Sequence, residues 1–151
     1  MQITIYFLAS IITYLGLLLG IILIKIAPEE QKPGKKYFIL FKKMLFFLIV
    51  SFLLLFFKIN LIFSLLVLLS LSVLMLADKI QLEKSFLVYF ILGIIFFLSS
   101  TTQNLFVIES VLIFLYGIPS ASLILKKKNY KDIFVKNLLF FLPVIVLYFI
   151  F

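Results

Sequence analysis

The stretch at residues 101–125, TTQNLFVIESVLIFLYGIPSASLIL, decides how the rest of the chain is read. It is long enough to cross a bilayer core as a helix, yet it carries Glu109, the chain's only acid inside an apolar run. At about 100° per residue, Thr102, Glu109, Tyr116 and Ser120 fall within an arc of about 40° on one helix face. Such a stripe needs a protected place to point. Pro119 lacks a backbone N–H in mid-span, which predicts a kink.

Outward from that stretch the chain is apolar nearly throughout. Hydrophobic residues make up 66% of its 151 positions and charged ones 13%, with a mean hydropathy of +1.34. A soluble domain needs far more charged surface than this. The composition therefore predicts an all-α, multi-pass protein of the cell membrane: a single bundle of six transmembrane helices over about 3–26, 37–57, 60–77, 84–100, 104–125 and 133–151. The segment at 28–38, PEEQKPGKKYF, reads as a loop with a Pro33-Gly34 turn.

Lysine placement predicts the threading. The first apolar run has no positive charge ahead of it and ends at Lys25, so it is expected to be a retained span with its start outside the cytoplasm. If six spans alternate from there, both termini are non-cytoplasmic and every lysine except Lys58 falls on the cytoplasmic side. Lys35, Lys36, Lys42, Lys43, Lys126, Lys127 and Lys128 would then contact anionic lipid or an acidic partner, with Lys42 and Lys43 snorkelling outward. Lysines that flank apolar spans are a topology signal, so nucleic acid is not an expected partner.

The same threading brings Lys58, Asn60, Thr102 and Asn104 to the outer end, above Glu109, Tyr116 and Ser120. Those seven residues form the candidate polar pocket. A carboxylate below the headgroups is costly unless paired, hydrated or protonated, and Lys58, alone on its side, is the expected partner of Glu109. The bland alternative is a structural glutamate, with nearby hydroxyls bonding back to carbonyls of their own helix. On the first span, Thr13, Gly16 and Gly20 share a small-residue face, with Gly16 and Gly20 in GxxxG spacing; it can receive another helix of this chain or of a second copy.

Chemistry is sparse. The sequence has no histidine and no cysteine, which removes thiol chemistry and imidazole-based metal sites and proton relays. No pair of acids, activated serine or metal-ligand cluster suggests a catalytic centre, so neither an enzyme nor a bound cofactor or metal is expected. Two functions follow: a scaffold or subunit of a membrane complex, whose partners are lipids and another membrane protein or a second copy, and a small-solute or ion carrier built on the Glu109 pocket. A cavity reaching Glu109 and Tyr116 would favour the carrier; solid packing there would favour the scaffold.

Overall fold

The computed structural model describes residues 2–76, 85–124 and 135–151, and no strand occurs among them. Among the described residues the α-helices are, in order, α1 Ile3–Ile26, α2 Gln31–Phe56, α3 Leu61–Leu76, α4 Ser85–Ser99, α5 Gln103–Ile124 and α6 Phe141–Ile150. Short 3₁₀ turns precede α2, at Pro28–Glu30, and α6, at Leu138–Phe140. Helices satisfy their backbone groups internally, the condition that a chain this apolar must meet in lipid. Among the described residues, three stretches are long and apolar enough to cross a membrane, Ile3–Ile26, Pro33–Phe56 and Gln103–Ala121; Leu61–Met75, Leu87–Ser99 and Val135–Ile150 are shorter apolar helices.

One expectation about the elements fails. The segment expected to form a loop up to residue 38 is helical from Gln31 onward. Pro33 sits in the first turn of α2, where backbone N–H groups have no intrahelical acceptor in any case, so its missing donor costs little. Pro143 lies near the start of α6. The 3₁₀ turn just before it tightens the backbone where the proline cannot donate. In α5 the helix continues through Pro119.

Ring contacts and close backbone approaches fix the helix directions. Tyr6 of α1 stacks on Phe106 of α5 at 6.1 Å, and Gly16 lies against Phe114 and Gly20 against Ile118. Residue numbers rise together, so α1 and α5 run parallel. Tyr14 meets Tyr89 while Tyr6 meets Phe96, and Tyr116 meets Tyr89 while Phe106 meets Phe96. Both pairs of contacts descend in number, so α4 is antiparallel to α1 and α5. Tyr14 touches Phe140 and Tyr6 touches Tyr148, which sets α6 antiparallel to α1 as well.

The α1 and α5 axes approach backbone to backbone. A Cβ on Gly16 would overlap the carbonyl oxygen of Phe114, one on Gly20 the carbonyl oxygen of Ile118, and one on Gly117 the amide nitrogen of Leu17. Glycine is required on both helices at this crossing, because any side chain would force the axes apart. Helix α5 packs against α1, α2 and α4, whereas α3 has its main contact with α2. The core residues Leu17, Ile49, Leu92, Phe96, Ile113 and Phe140 are all buried around this assembly.

Candidate functional site

The α5 stripe lies inside the bundle. Glu109, Tyr116 and Ser120 are each 0% exposed. Thr102 and Asn104, about two and about one and a half turns before Glu109, are exposed, as are Lys58 and Asn60. The seven residues expected to form one outward pocket are thus divided between exposed positions, Lys58, Asn60, Thr102 and Asn104, and buried ones, Glu109, Tyr116 and Ser120.

The 57–60 turn explains why Lys58 does not reach Glu109. The Lys58 N–H donates to the Leu55 carbonyl at 3.2 Å and the Ile59 N–H to the Leu54 carbonyl at 3.4 Å. That pair of bonds, with Lys58 at a φ of 49°, is a Schellman termination of α2 with Lys58 in the left-handed position. The next residue but one opens α3: the Asn60 Oδ1 accepts from the Ile62 N–H at 3.0 Å, a side-chain N-cap. Lys58 and Asn60 are end-of-helix residues, and the expected Lys58–Glu109 ion pair is absent. Both carboxylate oxygens of Glu109 are buried without a hydrogen-bond partner among the described residues.

Around Glu109 the packing is aromatic and aliphatic. Leu105 and Phe106 one turn before it and Ile113 one turn after it are buried. The parallel register of α1 sets Ser10 and Thr13 near its level, and both are buried. The Ser10 hydroxyl, however, donates to the Phe7 carbonyl of its own helix at 2.7 Å. The Ser110 hydroxyl similarly donates to the Phe106 carbonyl at 2.6 Å, and that of Ser120 to the Tyr116 carbonyl at 2.8 Å. Hydroxyls bonded back in this way are quiet neighbours, since their protons already have acceptors.

A second polar group, two turns further along α5, crosses the whole interior. Tyr14 of α1 and Tyr89 of α4 are 6.3 Å apart, ring centre to ring centre. Tyr89 and Tyr116 of α5 are 6.1 Å apart, and the Lys42 Nζ of α2 stands 5.3 Å from the Tyr116 ring centre. Four helices therefore meet at one level through three phenols and an ammonium, a cation–π contact closing the row. Sequence reasoning missed Tyr14, Tyr89 and Lys42 as interior groups. For Lys42 a signal existed: it stands three, four and seven residues before Leu45, Phe46 and Ile49, all of them core residues.

Lys42 is only 2% exposed, which corrects its expected outward snorkelling. The Lys43 Nζ is also engaged, donating to the Met75 carbonyl in the last turn of α3 at 2.7 Å, where a cation meets the negative end of the helix dipole. Of the expected lipid- or partner-facing lysines, Lys35 and Lys36 are exposed, and Lys126, Lys127 and Lys128 lie outside the described residues. Thr13 is 3% exposed, and Gly16 and Gly20 face α5 of the same chain. Among the described residues no group of three or more acidic, histidine or cysteine residues is placed to hold a metal ion.

No protein-family model matches the chain, and neither a curated protein nor a solved structure resembles it significantly.

Proposed function

We propose that the chain is a six-span protein of the cell membrane, with both termini on the non-cytoplasmic side, that acts through its packing as a scaffold or subunit of a membrane complex and not as an enzyme. The observation that carries this reading is the sealed α5 stripe: Glu109, Tyr116 and Ser120 have no exposed surface, while the polar residues above them belong to helix ends. A carrier needs access to its binding groups from at least one side. Here the central crossing brings α1 and α5 into backbone contact, which suits a rigid element on which other subunits assemble.

The test is mild detergent extraction followed by identification of what remains bound. A discrete homo-oligomer or a stoichiometric membrane partner supports the scaffold. A lone monomer that restores solute or ion flux in liposomes overturns it.

One observation favours the carrier as a second reading: neither oxygen of Glu109 has a hydrogen-bond partner among the described residues. Ionisable groups inside a membrane are costly and commonly mark a pathway. In a carrier, Glu109→Gln abolishes flux while leaving expression and association intact. In a scaffold the same substitution leaves association intact and there is no flux to lose.

A further inference from the structure

Two of the three phenols in the interior row have hydroxyls with nothing to bond. Tyr89 is 2% and Tyr116 0% exposed, and neither hydroxyl has a hydrogen-bond partner among the described residues. Both approach the Ser120 hydroxyl, so two O–H groups, one from α4 and one from α5, converge on one place. The Ser120 proton is already committed to the Tyr116 carbonyl, and its oxygen stands outside hydrogen-bond geometry with either phenol. A buried hydroxyl without a partner is costly, and two that converge in a packed core mark a place for a small third species.

The surroundings select its charge. The Lys42 Nζ stands 5.3 Å from the Tyr116 ring centre, and whatever else that ammonium bonds to, its field reaches the phenols through a medium that screens poorly. Tyr89 meets Tyr14 and Tyr116 edge to face, at 77° and 64°, and ring edges carry partial positive charge. The buried acid Glu109 is two turns from Tyr116, about 10 Å along the axis and on the side away from Ser120. A water molecule taking both phenolic protons would still have to send two hydrogens of its own away from the ammonium, and Phe46, packed on Tyr116 at 6.2 Å, accepts none. An anion accepts from both phenols and donates nothing. We propose that the Tyr89 and Tyr116 hydroxyls bind a small monovalent anion of the halide class, in the positive field of Lys42. A single-atom anion suits two donors, because it needs no orientation. Tyr89 lies four residues after the start of α4 and Tyr116 eight before the end of α5, so the site is about 6–12 Å inside the end of the bundle that carries Lys25. An anion there ties α4 to α5 beside α2, a structural ligand of the core. The inference stands apart from the choice between scaffold and carrier.

The test uses the full chain in detergent, its melting temperature followed at fixed ionic strength as sodium gluconate is replaced by sodium bromide or, in a parallel arm, by sodium acetate. Bromide is expected to raise the melting temperature saturably, by about 3–6 °C at ten times its Kd, and acetate to leave it at the gluconate value. A Tyr89→Phe, Tyr116→Phe double variant keeps both rings and loses only the unbonded hydroxyls. It is expected to melt no lower than the parent in gluconate and to show no bromide response. Crystals of the unaltered chain grown in bromide are expected to give an anomalous peak touching both phenolic oxygens, a readout that holds even if the double variant does not fold. Water density without an anomalous peak at that position, a bromide response retained by the double variant, or stabilisation as strong in acetate as in bromide would overturn the proposal.

Discussion

At Lys58 a non-glycine residue occupies the left-handed region, at a φ of 49°. The Schellman bonds of Lys58 and Ile59 need that conformation, and a Cβ makes it costly. Lys58→Gly is therefore expected to stabilise the protein by about 0.5–1 kcal/mol, seen as a raised melting temperature in detergent; a lowered one would mean that the side chain has a contact of its own. Glu109 tests the same conclusion from the other side. Glu109→Gln and Lys58→Met should be additive to within about 0.5 kcal/mol in a double-mutant cycle, because the two groups share no contact. A larger coupling energy would restore the ion pair. The Tyr6 hydroxyl, which donates to the Val144 carbonyl at 3.0 Å, ties α1 to α6. Tyr6→Phe is expected to cost about 1 kcal/mol, read from thermal unfolding. At this scale the sequence was only partly legible. It marked Glu109 as exceptional, because an acid within an apolar run is visible in one dimension. It misassigned Lys58 and Lys42, because charge alone does not say whether a lysine caps a helix, faces headgroups or lies over an aromatic ring.

Among the elements, α1 and α5 have the tightest relation, and its cause is a set of three glycines, Gly16, Gly20 and Gly117, whose Cβ positions are taken by the facing backbone. Gly16→Ala should cost about 1–3 kcal/mol, since relief requires two helix axes to separate and not one side chain to rotate. The measurement is the fraction of chain that runs as folded monomer or defined oligomer after extraction; an unchanged fraction and melting temperature would refute the close crossing. That glycines recur on one face of the first span is plain from the sequence. That they receive α5 is not, because the partner lies about a hundred residues away and periodicity within one segment carries no information about its neighbour. The start of α2 was hidden for a different reason. Pro-Gly is a strong turn signal in general, but a proline in a helix's first turn gives up a donor that had no acceptor.

For the molecule as a whole, the all-α character of the described residues and their six helices could be read from composition and apolar run length, because lipid leaves a polypeptide few other options. The relative directions of α1, α4, α5 and α6 agree with alternating crossings. If all six cross, single cysteines at positions 35 and 58 label from opposite sides of the membrane, and those at 58 and 102 from the same side. The chain has no cysteine of its own, so an impermeant maleimide gives an unambiguous answer, and labelling of 35 and 58 from one side would rule out the six-span threading. The parallel α1–α5 crossing also bears on biogenesis. Gly16 and Gly20 leave the ribosome long before Gly117 exists, and at ~5–20 residues per second roughly 5–20 s separate them. Throughout that interval the first helix has its permanent mate missing, so a nascent chain stalled anywhere before the fifth helix would present a bare glycine ledge to whatever insertion machinery or neighbouring polypeptide stands beside it.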